Sequence, residues 1–196
     1  MALKINGGKF RGIKLSSPSG NKTRPTSDML REAVFNIAQH KIQDSLFLDL
    51  FAGTGAMGLE ALSRGAIKSI FIEKDRTAIN CIKENIEKLS LKEEATLLPL
   101  DILSALKKLK EIKFNIIYMD PPYGDHNKQT FAEELVEKIL TFLDSSDLIE
   151  NGTWIFLEFS SYTKKKFDQI PLKNISWDHK RNFGCSELHL FKCNMQ

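Results

Sequence analysis

Phe47-Leu-Asp-Leu-Phe-Ala-Gly-Thr-Gly-Ala-Met-Gly58 carries an apolar run into an acid, Asp49, and then into a loop with glycines at 53, 55 and 58. Behind the loop, Leu59, Ala61 and Leu62 resume with helical spacing. Strand, tight glycine turn and helix form the opening unit of a nucleotide-binding α/β sheet. Such a loop lets a ligand lie against the backbone, and the helix start behind it offers free N–H groups. The spacing alone does not choose the ligand. Glu73 stands 20 residues beyond Gly53 and closes the apolar run Ser69-Ile-Phe-Ile72, where an acid can hold the two hydroxyls of any ribose.

Outward from this unit, strands and helices alternate. Strands are expected over 46–51, 68–73, 95–100, 114–119 and 153–158, with helices over 56–64, 76–89, 102–109 and 131–143. Segments 175–177 and 187–192 read as two further strands joined by the turn Arg181-Asn-Phe-Gly184. No helix of useful length separates them, so they should pair antiparallel. The expected fold is α/β and Rossmann-like, mostly parallel with one reversed strand near the C-terminus and helices on both faces. Residues 46–196 make the main domain. Residues 1–45 make an appendage: a hairpin of strands 3–6 and 9–15 around Gly7-Gly8, a loop, and a helix opened by Thr26, Ser27 or Asp28. That helix should bury Leu30, Ala33, Val34, Ile37 and Ala38.

The chain has 196 residues, 42% of them hydrophobic and 27% charged, which fits one well-cored soluble domain. Met1 to Gly8 lacks the apolar core of a signal peptide, and no stretch reaches membrane-spanning length. Three cysteines, Cys81, Cys185 and Cys193, have no paired spacing, and the four histidines show no metal spacing, so no metal site is expected and the cytoplasm is the simplest compartment. The net charge of +3 hides an asymmetry: the first 24 residues hold six bases and no acid. A basic arm on a near-neutral domain suits a polyanionic partner, although a merely solvated surface reads the same way.

In such sheets ligands lie beyond the carboxyl ends of the strands. Asp49, Glu73, Asp101 and Asp120 all arrive there. Glu73 with Lys74 suits ribose hydroxyls, Asp101 with Ile102 suits an adenine amino group, and Phe51, Ala52, Gly53, Thr54 and Gly55 would lie under the rest of a nucleoside. A carboxylate at Asp49 is poor beside a diphosphate and tolerable beside a sulfonium, which favours S-adenosylmethionine over a nicotinamide dinucleotide. Asp120-Pro121-Pro122-Tyr123 is the more specific feature. Its two prolines remove N–H donors directly after a buried strand and leave only acceptors, the Asp120 carboxylate and the Pro121 carbonyl, beside an aromatic face. Two acceptors can hold both hydrogens of an exocyclic amine and aim its lone pair at a methyl group while Tyr123 stacks on the base. The base must leave its stack to enter.

The glycine loop together with Asp120-Pro-Pro-Tyr123 resembles the class I S-adenosylmethionine-dependent methyltransferases that modify exocyclic amines. Gly7-Gly-Lys-Phe-Arg-Gly12, Arg24-Pro-Thr26 and Arg31-Glu-Ala-Val-Phe-Asn36 resemble the bacterial RsmD family, whose members methylate N2 of one guanine in 16S rRNA. The resemblance runs from about residue 5 to 192. It implies a seven-stranded sheet, a small-subunit particle as substrate and a monomer. It places Asp120, Pro121, Pro122 and Tyr123 on the base, and Arg11, Arg24, Thr26, Arg31, Arg181 and Phe183 as candidate RNA contacts, with Arg24, Thr26 and Arg31 equally able to close over the cofactor. An adenine-N6 DNA methyltransferase would share both motifs. Against it, the chain has no room for a separate DNA-recognition domain. A nicotinamide-dependent oxidoreductase or a non-catalytic RNA-binding protein would leave Asp120 unexplained. Lys164-Lys-Lys166 reads as a solvated helix face.

Overall fold

A computed structural model of the protein describes residues 3–18, 28–109, 111–122 and 126–195. Seven strands form one sheet: β1 Leu46–Leu50, β2 Lys68–Ile72, β3 Ala95–Leu98, β4 Ile116–Met119, β5 Trp154–Ser160, β6 Ile175–Phe183 and β7 Ser186–Cys193. Their order is β3-β2-β1-β4-β5-β7-β6. The first five pair parallel, and β7 runs antiparallel to both β5 and β6. The helices are α1 Asp28–Ile37, α2 Ala56–Ser63, α3 Arg76–Lys88, α4 Ile102–Lys108 and α5 His126–Asp144.

Strand alternation divides the core between the two faces. Leu48, Leu50, Ile70, Ile72, Ile117, Met119, Ile155 and Leu157 pack with α4 and α5. Phe47, Phe71, Ile116, Tyr118 and Phe156 pack with α1, α2 and α3, and with Ile5 and Leu15 of the N-terminal arm. Each central strand is therefore apolar on both sides, as a covered parallel sheet requires. The strand order turns back between β1 and β4, so the carboxyl ends of these two strands flank the crevice where such sheets take ligands.

Several elements depart from expectation. Among the described residues the N-terminal arm has no regular strands: Lys4 and Lys14 make a single antiparallel bridge, and residues 7–12 form the turn between them. The arm is shaped by docking, since Lys9 N donates to the Ser63 carbonyl (2.8 Å), Phe10 N to Ser63 Oγ (2.9 Å) and Ser63 Oγ to the Gly7 carbonyl (2.6 Å). Helix α1 buries Leu30, Arg31, Val34 and Phe35; Ala33 and Ile37 are only half-buried. Thr26 and Ser27, the expected caps, lie outside the described residues. Helix α5 starts five residues earlier than its apolar period. Strand β6 is six residues longer than expected. Its Asp178-His-Lys-Arg-Asn182 run conceals a strand by composition, yet charged residues suit the outer edge of a sheet. Lys164–Lys166 lie in a loop and not on a helix.

Candidate active site at the carboxyl edge of the sheet

The glycine loop opens at Phe51, whose φ of 64° is an uncommon conformation for a side-chain-bearing residue and marks a sharp exit from β1. Ala52 N bonds the Ile72 carbonyl at 3.0 Å and Gly55 N bonds the Ala52 carbonyl at 2.7 Å. Gly55, at φ 79°, is the N-cap of α2 and has no side chain to satisfy the helix's first N–H groups. Asp49 supplies that acceptor from the strand: its Oδ2 takes the Gly58 N–H at 2.9 Å. Gly58 itself lets α2 lie on β2, since a Cβ there would stand 2.3 Å from Phe71 Cε1.

Asp49 is thus not an exposed wall of the site. It is 1% exposed and supports the loop from beneath. Burial pushes its carboxyl up to about 7, opposed by the Gly58 N–H and reinforced by the charge of Glu73. The folded protein holds a proton on Asp49 over a range where the unfolded chain has lost it. The stability contributed by this group is therefore complete below about pH 4 and falls as pH rises toward 7, by about 1.4 kcal/mol per unit at the steepest. Asp49→Asn removes that slope. Urea unfolding of both proteins at pH 5 and pH 8 should show wild type losing stability relative to the variant as pH rises.

Glu73 is half-buried at the end of β2, and three backbone donors hold it. Its Oε2 accepts from Gly53 N (2.8 Å), and its Oε1 from Lys74 N (2.7 Å) and Asp75 N (2.8 Å). A carboxylate fixed in this way joins β2 to the glycine loop and keeps an acceptor site on Oε2 for a further donor. Asp101 is exposed and caps α4 through Ser104 N (3.1 Å). Its bonds to the Ser104 side chain and N–H hold its carboxyl below the ordinary range. Ile102, the next residue, is buried, and Lys74, which follows Glu73, is exposed.

Asp120 follows β4 at the centre of this edge. Pro121 is buried, Pro122 is exposed, and Tyr123 lies outside the described residues, as do Arg24 and Thr26. The structure therefore brings Asp120 and Pro121 to the same edge as the loop, Glu73 and Asp101. It corrects one expected RNA contact, Arg31, and the bounds of the last hairpin turn. Arg31 is completely buried: its Nη2 donates to the Lys4 carbonyl (2.8 Å) and to Asp28 Oδ1 (2.6 Å), and its Nε stands 3.7 Å from Glu60 Oε2. Phe183 lies in β6 and packs partly on the core, so the hairpin turn is Gly184-Cys185 and not 181–184. Arg181, also on β6, and Arg11 are exposed.

Three residues at the site escaped the sequence reading. Asn85, completely buried on α3, accepts Ser16 N at Oδ1 (2.6 Å) and donates from Nδ2 to the Ser16 carbonyl (3.0 Å) and the Thr54 carbonyl (3.2 Å). It joins the arm to the glycine loop, and a polar residue inside the stripe Ile82, Ile86 and Leu89 was the available signal. Tyr118 and Glu158, on β4 and β5, meet at 2.6 Å from Oη to Oε2.

A seven-stranded sheet with this order and one reversed strand is the class I methyltransferase fold; a dinucleotide fold of order 3-2-1-4-5-6 would be parallel throughout. A family model described as Conserved hypothetical protein 95 matches residues 3–192, and the chain belongs to that family, the RsmD family. Ribosomal RNA small subunit methyltransferase D of Escherichia coli K12 is 35% identical over 180 residues, covering 91% of this chain and 83% of its own length. The protein of the same name from Haemophilus influenzae is 33% identical over 192 residues, covering 97% and 93%. The solved structure of the Escherichia coli methyltransferase yhhF superposes with a TM-score of 0.82 at 28% identity over the whole of both chains.

Proposed function

We propose that this protein transfers a methyl group from S-adenosylmethionine to the exocyclic N2 of a guanine in the RNA of the small ribosomal subunit. The observation that carries the reading is the acceptor pair Asp120 and Pro121, set at the end of β4 next to the glycine loop after β1. Family membership supplies the RNA class. The donor set fits the cofactor: Glu73 has acceptor capacity for ribose hydroxyls, Asp101 presents an exposed carboxylate for an amino group, and Asp49 places an ionisable acid under the loop. The cofactor supplies an electrophilic methyl group carried on a sulfonium. Asp120 and the Pro121 carbonyl accept the two N2 hydrogens, which turns the nitrogen lone pair toward that methyl group. Asp120 then takes the proton that N2 releases and passes it to water. Tyr123 is the stacking partner in this reading, and Arg11, Arg24, Thr26 and Arg181 bind RNA. A monomer working in the cytoplasm on assembled or partly assembled subunits completes it.

The test is transfer of labelled methyl groups to unmethylated small-subunit particles, naked 16S rRNA and duplex DNA, followed by nucleoside analysis. The expected product is N2-methylguanosine on RNA. N6-methyladenine on DNA would move the protein to the adenine class.

A further inference from the structure

The N-terminal arm meets the glycine loop at Asn85, which is completely buried in α3. On the arm side its Oδ1 accepts the Ser16 N–H at 2.6 Å and its Nδ2 donates to the Ser16 carbonyl at 3.0 Å, so the side chain pairs with both backbone groups of one residue. On the loop side Nδ2 donates to the Thr54 carbonyl at 3.2 Å. The N–H of the same peptide, that of Gly55, is held by the Ala52 carbonyl at 2.7 Å. The Thr54–Gly55 peptide is thereby fixed at both its polar atoms, directly before the helix that Gly55 caps. An asparagine amide has two N–H donors, and both are committed here, one to each side. The arm also carries Lys4, Lys9, Arg11 and Lys14, all exposed, and no acid between residues 3 and 18. That is the charge pattern of a surface for a polyanion.

We infer that Asn85 is a positioning residue that couples cofactor binding in the glycine loop to RNA binding on the arm. This inference rests on the function proposed above. The last torsion of an asparagine side chain has broad minima, so its bonding partners, and not rotamer preference, fix the amide plane. One rigid plane serves Ser16 and Thr54, so turning it away from one partner moves it relative to the other. A cofactor lying against the loop holds the Thr54 carbonyl in place, which keeps the amide in the orientation that pairs with Ser16. RNA bound to the arm holds Ser16, and the same amide then holds the loop. Linkage makes the two effects equal: each ligand raises the affinity of the other by the same factor. Helix α3 has a second tie to the arm, Lys88 Nζ to the Lys14 carbonyl at 2.6 Å, and that tie has no bond to the loop among the described residues.

The experiment measures binding of unmethylated small-subunit particles with and without saturating S-adenosylhomocysteine, the demethylated cofactor. In wild type this ligand should tighten particle binding at least about fivefold, and saturating particles should tighten S-adenosylhomocysteine binding by the same factor. Asn85→Ala should reduce both effects to less than about twofold. Lys88→Met, which cuts the other tie between α3 and the arm, should keep the wild-type factor even where particle affinity falls. A purely structural Asn85 would lower the thermal midpoint in Asn85→Ala and leave the factor as in wild type, and that result overturns the inference. So does the absence of any coupling in wild type. Should Asn85→Ala not fold, hydrogen exchange of the wild-type Ser16 amide decides: S-adenosylhomocysteine should slow it at least about fivefold, and an unchanged rate overturns the inference. If wild type neither binds particles nor transfers methyl groups to them, the proposed function fails instead, so the two failures are distinct.

Discussion

Asp120→Ala lowers kcat for methyl transfer by roughly 1,000-fold or more, while cofactor affinity stays within about threefold. The reason is the separation of duties along the carboxyl edge. Cofactor contacts fall to the loop after β1 and to the ends of β2 and β3, whereas Asp120 terminates β4 on the other side of the crevice. An exocyclic amine is a weak nucleophile because its lone pair is delocalised into the ring. Removing the acceptor leaves the amine in the plane of the base with its lone pair misdirected. It also removes the group that takes the proton after transfer. Asp120 is only half-buried, so truncation empties little core and the thermal midpoint should hardly move. Asp120→Asn keeps one acceptor oxygen and loses the charge, so its activity should fall between the two. Isothermal titration with S-adenosylmethionine and single-turnover methyl transfer check both halves. Full activity in Asp120→Ala removes the assigned chemistry, and loss of cofactor binding in parallel would show that the strand end had been disturbed.

The parallel half of the sheet was legible because each strand is a short apolar run ending in an acid or glycine, and each intervening helix repeats its apolar residues at 3.6. The reversed strand was legible from the missing helix between the last two runs. What escaped was decided by contacts distant in sequence. Arg31 reads as a surface arginine because arginine is rarely buried, and the Lys4 carbonyl and Glu60, 27 and 29 positions away, change that. The arm reads as a two-residue hairpin because Gly7-Gly8 is a turn signal, but docking on Ser63 spreads the turn over residues 7–12. Asp49 reads as a ligand-facing acid, since nothing local shows that Gly58 claims it.

The largest stability effect is expected at Glu60. This side chain is completely buried in α2, directly behind the glycine loop, and joins three parts of the molecule: Arg64 on its own helix, the Asn6 N–H of the arm, and Arg31 of α1 at 3.7 Å. Glu60→Met leaves Arg31 buried with its bonds to Asp28 and the Lys4 carbonyl, while its Nε and Nη1 already have no hydrogen-bond partner among the described residues. Breaking a buried ion pair from one side costs about 3–5 kcal/mol, because a charge stays behind in a medium that cannot solvate it. Arg31→Met should cost less, since Glu60 keeps Arg64 and the Asn6 N–H. The double variant replaces both charges with thioethers of similar length, and it should be more stable than the sum of the single losses by at least about 2 kcal/mol. Urea unfolding of the four proteins measures the cycle. Additive losses would mean that Arg31 and Glu60 do not interact across 3.7 Å. Because Gly55 of the loop is the N-cap of α2, Glu60→Met should also weaken cofactor binding, which Asp120→Ala leaves intact.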